Sequence, residues 1–267
     1  MRIVILTGNE TRHIYFRKKM ASDTRITVLK SYCESDEKSL ANRNKKNENI
    51  SQLEIQHAEA RAQSEIDFFS DYIESCQDKS NPKFINKGAI NDESIVNEIF
   101  AMEPDLLVCY GSSLIKSDLI TKFHGKFLNV HLGLSPYYRG SGTNVWPLIN
   151  LEPNMAGATF MYIDAGIDTG NIIHQIRADI YLGDSPHTIG NRLIRKMTST
   201  YAEIVSNFWN LTNEQQPVSE GKFYYRRDFT AESCKKLYLN FSQSMIQNHL
   251  TSPKQLPYIV KNKGLLL

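Results

Sequence analysis

The 267-residue sequence contains no long apolar run and almost no excess of charge of either sign. No stretch of about 18 apolar residues occurs, so no transmembrane helix is expected. The N-terminal stretch also lacks the apolar core and the small-residue cleavage site of a signal peptide. The 31 basic residues nearly balance the 29 acidic residues, and a net charge of +2 gives no electrostatic footprint for nucleic acid. These absences predict a cytoplasmic protein with neither a membrane nor a nucleic acid as partner.

The four cysteines, Cys33, Cys76, Cys109 and Cys234, lie far apart and form no CxxC pair or other metal-ligand spacing. Reduced thiols in a cytosolic protein are the simpler interpretation, and no metal site is predicted. Apolar residues make up 41% of the chain, which is enough for a sizeable core.

Short apolar runs alternate with helical patterns through most of the chain. The segments at 2–6 and 105–111 are typical of strands buried on both faces of a parallel sheet. Long helices are predicted at 50–76, which has no glycine or proline, and at 185–211. The alternation predicts an α/β, Rossmann-like, mostly parallel sheet with helices on both faces. We expect a catalytic domain over 1–211, with a solvated surface segment at about 35–49, and a small C-terminal extension over 212–267.

A polar motif interrupts one predicted strand, in FLNVHLGLSPYYRGSG at 127–142. Side chains two apart share a face of a strand, so Asn129 and His131 project together near its carboxyl end, where open α/β sheets bind ligands. The later loop DAGIDTG, at 164–170, supplies Asp164 and Asp168. An amide, an imidazole and a carboxylate are the groups that acyl transfer to an amine requires. The alternative is a buried histidine with a satisfied partner, beside aspartates that stabilise their loop.

The combination of NVHLGLSPYYRGSG with DAGIDTG resembles the signature of the 10-formyltetrahydrofolate-dependent formyltransferases, over about residues 100–205. The resemblance implies the formyltransferase fold, 10-formyltetrahydrofolate as the formyl donor, and no metal. It places the catalytic residues on Asn129, His131 and Asp168. It also implies two folate-binding loops, which comprise Tyr110, Gly111, Ser112, Ser113, Leu114, Ile115, Asp164, Ala165, Gly166 and Ile167.

The acceptor amine is less closely defined by this resemblance. Methionyl-tRNA formyltransferases carry a C-terminal barrel-like domain, where this chain has a short extension. Glycinamide ribonucleotide formyltransferases usually carry a second histidine where this chain has Met161. The sugar N-formyltransferases remain, so we expect a nucleotide-linked amino sugar destined for surface polysaccharide. Methionyl-tRNA as acceptor, a formyltetrahydrofolate hydrolase, and a binding module without catalysis are the alternatives.

Two segments are candidates for binding this acceptor. Asn9, Arg12 and His13 follow the first strand and are predicted to meet a phosphate at a helix N-terminus, the alternative being a cap and a solvated arginine. The loop after the catalytic strand is predicted to contact the sugar or its nucleotide through Tyr137, Tyr138, Arg139, Gly140 and Ser141.

Three further patterns favour structural roles. His57, Arg61 and Glu65 recur every four residues and predict a solvated, salt-bridged helix face. Trp146 and Trp209 are predicted to lie in the core. YYRRDF at 224–229 is interpreted as a surface or dimer-forming hairpin, with stacking on bases as the alternative. Whether the chain forms a homodimer is left open.

Overall fold

The computed structural model describes residues 1–35, 50–217, 221–252 and 255–265. Seven strands form one sheet, and two short strands form a second. In chain order they are β1 (Arg2–Thr7), β2 (Thr27–Glu34), β3 (Pro82–Ile85), β4 (Leu106–Tyr110), β5 (Phe127–His131), β6 (Tyr138–Gly140), β7 (Gly157–Tyr162), β8 (Ile172–Arg177) and β9 (Lys222–Tyr224). The large sheet has the order β3-β2-β1-β4-β5-β7-β8, in which the first five strands pair in parallel and β7 pairs antiparallel with both β5 and β8. The predicted mostly parallel α/β sheet is confirmed.

The helices cover both faces of this sheet. They are α1 (Thr11–Ser22), α2 (Gln52–Ser75), α3 (Glu93–Met102), α4 (Ser117–Lys122), α5 (Trp146–Ile149), α6 (Pro186–Ser206), α7 (Ala231–Ser242) and α8 (Met245–Thr251). On β1, Ile3 and Ile5 face the core shared with α1, α2 and α6, while Val4 and Leu6 face the core shared with α3 and α4. Successive side chains of a strand point to opposite faces, so an unbroken apolar strand serves both cores.

The two long predicted helices are confirmed, and each begins at a serine. The Ser51 hydroxyl accepts a hydrogen bond from the Glu54 N–H at 3.3 Å, and the Ser185 hydroxyl accepts from the Thr188 N–H at 3.1 Å. These serines satisfy donors that a helix N-terminus leaves unpaired. Pro186 follows at the first position of α6, where the missing N–H costs nothing. None of the described helices is long and apolar enough to cross a membrane.

The two tryptophan predictions have different outcomes. Trp146 is buried, as predicted, whereas the prediction for Trp209 is wrong, since its side chain is 65% exposed. The preceding Phe208 takes the buried position, and the Lys126 ammonium lies over the Trp209 ring, 5.9 Å from its centroid. Apart from Ser35, the predicted surface segment at 35–49 lies outside the described residues.

The C-terminal extension packs directly on the rest of the molecule. Strand β9 pairs in parallel with β6, and α7 contributes Leu237 to a core that includes Trp146. Further along, the Val260 N–H donates to Gln175 Oε1 at 2.9 Å, and the Asn262 N–H donates to His174 Nδ1 at 3.0 Å. The extension therefore shares a core and hydrogen bonds with the 1–211 segment, and the boundary at 211 stays a prediction.

Candidate active site

His131 and Asp168 meet at the end of β5. Asp168 Oδ2 lies 3.3 Å from His131 Nδ1, and both side chains are about nine-tenths buried. On the other side of the ring, Nε2 lies 3.0 Å from the Tyr138 carbonyl oxygen and 3.1 Å from Thr143 Oγ1. The predicted histidine–carboxylate pair is thus present in the fold, and its catalytic role stays a prediction.

The neighbours of the His131 ring determine where its protons sit. The Tyr138 carbonyl can only accept, so Nε2 must carry a proton. The Thr143 hydroxyl donates to the Leu132 carbonyl at 2.8 Å, so it too faces Nε2 with a lone pair. In a neutral ring, Nδ1 would then present a lone pair to the Asp168 carboxylate. A proton between them removes that repulsion, so the geometry favours an imidazolium–carboxylate ion pair.

The backbone holds Asp168 in an uncommon conformation. Its φ of 54° lies in the left-handed region, which aspartate and asparagine tolerate better than most other residues. The Gly140 N–H donates to Asp168 Oδ2 at 3.0 Å, and so links this loop to β6. The same carboxylate oxygen therefore faces both an amide donor and the imidazole.

A cavity of about 1030 Å³ opens beside this pair. It lies at the carboxyl ends of β1, β4 and β5, as expected for ligands of an open α/β sheet. Asn129, His131 and Asp168 all line it. All ten residues predicted to bind folate line it as well, so the two predicted loops do face one cavity.

The predicted acceptor residues do not all reach this cavity. Among the described residues of the loop after β5, the walls include Gly140 and Ser141 but not Tyr137, Tyr138 or Arg139. Tyr138 is fully buried, and its hydroxyl contacts the Glu152 carboxylate. The Tyr137 hydroxyl donates to the Tyr258 carbonyl at 3.3 Å. Strand β6 and the packed extension hold these three residues outside the walls, so the cavity does not support their contact with the acceptor, which stays a prediction.

The N-terminus of α1 lines the cavity through Asn9, Arg12 and His13, but it does not form the predicted phosphate site. The Arg12 N–H points at Glu65 Oε2, 3.4 Å away, so a carboxylate from α2 already lies at this helix terminus. His13 packs against Gly111, where a Cβ atom would lie only 2.3 Å from Nε2. Burial lowers the pKa of His13 well below its usual value, so the ring is neutral. The alternative of a cap and a solvated arginine holds only in its first part, because His13 Nδ1 accepts from the Glu10 N–H at 3.2 Å, whereas the Arg12 side chain is only 12% exposed and ion-paired.

The predicted solvated face of α2 is a cavity wall. His57 and Glu65 are 3% and 4% exposed, and both line the cavity with Arg61. Ile66, by contrast, is 45% exposed, so the buried face of α2 is rotated toward its charged residues. The His57 ring lies 4.9 Å from the His187 ring, measured between centroids. Burial lowers the pKa of His57 to about 3 and that of His187 to about 4.

The segment at 224–229 lies at the surface, as predicted, with Tyr225 55% exposed, but β9 pairs in parallel with β6 and not in a hairpin, and several residues here line the cavity; its role in a dimer stays a prediction. Tyr224 stacks on Trp146, with ring centroids 4.0 Å apart and planes 10° from parallel. Its neighbours add aromatic and cationic groups to the same wall. The lining residues from this part of the chain are Phe223, Tyr224, Tyr225, Arg226 and Phe229.

Other lining residues gave no sequence signal of their own. Glu34 is fully buried at the end of β2 and accepts hydrogen bonds from the N–H groups of Gly88, at 2.8 Å, and Ser113, at 2.5 Å. Lys87 Nζ lies 2.9 Å from the same carboxylate. This buried ion pair ties a predicted folate-binding loop to the turn before α3. The position of Glu34 at the carboxyl end of a parallel strand is the signal that could have revealed it. No group of three or more possible metal ligands occurs among the described residues.

Comparisons with known proteins agree with the fold and the motifs. A model of the formyl transferase family matches residues 1–205. Methionyl-tRNA formyltransferase of Alkaliphilus oremlandii is 31% identical over 160 residues, which cover 59% of this chain and 50% of that protein. The chain therefore spans about half the length of this curated relative.

Solved structures share the fold at low sequence identity. The formyltransferase PseJ from Anoxybacillus kamchatkensis, in complex with a UDP-linked formamido sugar and tetrahydrofolate, is 18% identical, with a TM-score of 0.50 over 89% of this chain and 97% of that one. Phosphoribosylglycinamide formyltransferase from Anaplasma phagocytophilum is 16% identical, with a TM-score of 0.55 over 85% of this chain and 98% of that one. The names of these relatives point to different acceptors, so the likeness shows the fold and not the acceptor. The family model covers most of the chain, and we conclude that this protein belongs to the formyl transferase family.

Proposed function

We propose that this protein transfers the formyl group of 10-formyltetrahydrofolate to the amine of a nucleotide-linked amino sugar. The observation that carries this proposal is the single cavity of about 1030 Å³ beside the His131–Asp168 pair. Ligand pockets usually measure about 300–1,000 Å³, so this one has room for parts of two ligands at once. Transfer between two small molecules needs such a shared space.

The two loops at 111–115 and 164–167 suit the donor. Both lie at the cavity wall, and most of their residues are exposed or only partly buried, so they are accessible to a ligand. Gly111 has a φ of 74°, which turns the backbone sharply after β4 and brings the loop over the cavity. Tetrahydrofolate bound to the related PseJ supports folate as the carrier.

In the proposed reaction, the neutral amine attacks the formyl carbon and forms a tetrahedral intermediate. The Asn129 amide donates a hydrogen bond to the oxygen that becomes negative, and the positive charge of the adjacent His131 ring stabilises it electrostatically. The bond from carbon to the folate nitrogen then breaks, and the proton lost by the amine is returned to that nitrogen. Asp168 keeps His131 charged throughout, because the carboxylate faces Nδ1 at 3.3 Å.

The cavity wall formed by residues 223–229 supports a small acceptor that carries an aromatic group. Tyr225 and Phe229 line it beside Arg226, and aromatic and guanidinium groups stack on nucleobases. The extension, α2 and α6 together enclose this end. An acceptor of the size of a nucleotide sugar fits such a wall better than a folded tRNA, and the net charge of +2 gives little attraction for tRNA phosphates.

A methionyl-tRNA acceptor remains the second candidate, and the sequence relationship favours it. The curated relative from Alkaliphilus oremlandii is a methionyl-tRNA formyltransferase, at 31% identity. A hydrolase of the same fold would pass the formyl group to water instead.

A panel of nucleotide-linked amino sugars, incubated with the enzyme and 10-formyltetrahydrofolate, separates these activities. We expect one sugar of the panel to gain the mass of one formyl group. Methionyl-tRNA and a reaction without any acceptor are run beside the panel. Formylation of the tRNA alone would refute the sugar acceptor, and release of formate at the same rate without an amine would identify a hydrolase.

A further inference from the structure

A chain of four charged side chains crosses the cavity wall between α1 and α2. Arg12 Nη1 lies 2.8 Å from Glu65 Oε1, and the other guanidinium nitrogen contacts the Glu10 carboxylate. Arg61 Nε lies 3.3 Å from the same Glu65 oxygen. Two guanidinium groups therefore face two carboxylates, and all four residues line the cavity. The group carries no net charge.

This balance makes the wall a poor site for phosphate. The carboxylates beside Arg12 raise the pKa of its guanidinium, so its charge is already fully engaged. A phosphate at the same position would lie next to Glu10 and Glu65 and would be repelled by both. A neutral ligand meets no such repulsion, and it finds both acceptors and donors of hydrogen bonds on one surface.

Two neutral polar groups lie on the same stretch of wall. The hydroxyl of Tyr110 and the side-chain oxygen of Asn9 are both buried, and neither has a hydrogen-bond partner among the residues that the structure describes. Tyr110 is 4% exposed, and its ring is held edge-on by His13 and Phe16, each with a centroid separation of 5.1 Å. A buried hydroxyl without a partner is unfavourable, so this group gains from a ligand that hydrogen-bonds to it.

We propose that this wall binds the hydroxyl or amide groups of the sugar ring of the acceptor, and that the Tyr110 hydroxyl is one of the contacts that select the sugar. This inference rests on the proposed function, and it assigns a part of the acceptor to each wall of the cavity. Carboxylates accept from sugar hydroxyls, guanidinium groups donate to them, and a phenol does both. Sites that hydrogen-bond a substrate hydroxyl discriminate strongly against analogues that lack it.

The position of Tyr110 agrees with this assignment. Although the resemblance places Tyr110 among the folate-binding residues, we assign its side chain to the acceptor, because its ring packs against His13 and Phe16 of α1 and it ends β4 before the loop at 111–115. The amine must reach the formyl carbon beside His131, so the ring that bears the amine lies next to the donor. The nucleotide then extends away from the donor, toward the aromatic wall of the C-terminal extension.

Replacing Tyr110 with phenylalanine tests the proposal without removing any hydrogen bond of the described protein. The matched control is Tyr201→Phe, because Tyr201 is also fully buried and its hydroxyl donates to the Cys109 carbonyl of the same strand, at 3.4 Å, outside the described cavity walls. Affinities are measured calorimetrically with tetrahydrofolate present. The probes are the nucleotide amino sugar that the panel identifies and the corresponding nucleoside diphosphate without a sugar.

We expect Tyr110→Phe to weaken binding of the nucleotide sugar by about fivefold to tenfold, the contribution of one neutral hydrogen bond. Binding of the nucleoside diphosphate and the KM for the donor should not change, and Tyr201→Phe should change none of these values. An equal loss for sugar and diphosphate, a rise in the donor KM alone, or no change would overturn the proposal. Absence of formylation of every panel sugar by the unsubstituted enzyme would instead remove the proposed function itself.

Discussion

Replacing Asp168 by asparagine removes one charge from the His131–Asp168 pair, whose catalytic role is predicted, and changes little else. The side chains have the same shape, and asparagine tolerates the φ of 54° at this position as well as aspartate does. Alanine would be a poorer test, because it adds backbone strain in the left-handed region. The oxygen of the new amide can still accept from the Gly140 N–H, so the link to β6 is kept.

The size of the effect follows from the geometry of the pair. Two unit charges 3.3 Å apart attract by about 5 kcal/mol at the effective dielectric constant of about 20 that suits protein sites. Desolvation offsets part of this attraction. If about half of it stabilises the protonated ring in the transition state, its loss lowers kcat by about a hundredfold.

The assay is single-turnover formyl transfer with the acceptor that the panel identifies, combined with denaturant unfolding. We expect kcat to fall by about 10²- to 10³-fold, with little change in the free energy of unfolding. Asp179→Asn is the control, because it removes one carboxylate from a half-exposed surface pair with Lys196. A kcat within a few-fold of the unsubstituted value would refute the ion-pair reasoning. So would a loss of activity that is matched by a loss of folded protein.

Two further predictions concern stability and the extension. Two buried histidines and one partly buried histidine have pKa values lowered to about 3 or 4 by desolvation, below about 6.5 in the unfolded chain. These are His57, His174 and His187. The unfolded state therefore binds more protons than the folded state as the pH falls below about 6.5. Each histidine is expected to lower the free energy of unfolding by about 2 kcal/mol at pH 5. A urea concentration at the unfolding midpoint that stays the same between pH 7 and pH 5 would contradict this. Gly140→Ala places a Cβ atom 2.1 Å from the Tyr224 carbonyl at a φ of 91°, and should reduce both stability and kcat. Gly183→Ala is the control, because Gly183 has a φ of 87° with open space around it, and the substitution therefore adds only backbone strain of about 1–3 kcal/mol. An equal decrease of the melting temperature in both variants would show that the contact with Tyr224 is unimportant.

Local patterns were sufficient for the fold and for the position of the catalytic pair. The apolar strand at 2–6 and the serine caps of the long helices act within a few residues of sequence, so their structure follows from them directly. The placement of Asn129 and His131 on one face needs only the two-residue period of a strand. The contact between His131 and Asp168 was predictable because both flank strands of one sheet edge.

The acceptor end of the cavity was not predictable in this way. Its walls depend on contacts between residues distant in sequence, such as Arg12 with Glu65 and Trp146 with Tyr224. A repeat of polar residues every four positions, such as His57, Arg61 and Glu65, is expected both for a solvated helix face and for a polar cavity wall. Only the packing of α1, α6 and α7 against α2 distinguishes the two.

The carboxylate at the N-terminus of α1 bears on the orientation of the proposed acceptor. A helix N-terminus favours an anion, and here the anion is the Glu65 carboxylate, which lies 3.4 Å from the Arg12 N–H. With that place taken by the protein, the phosphates of a nucleotide sugar have no reason to approach α1. Under the proposed function, the phosphates would lie farther from the donor, and the uncharged ring would occupy the space between. The Glu65 carboxylate, which repels phosphate, can accept hydrogen bonds from sugar hydroxyls. The charge balance of this wall and the proposed orientation of the acceptor therefore both follow from the interaction of Arg12 with Glu65.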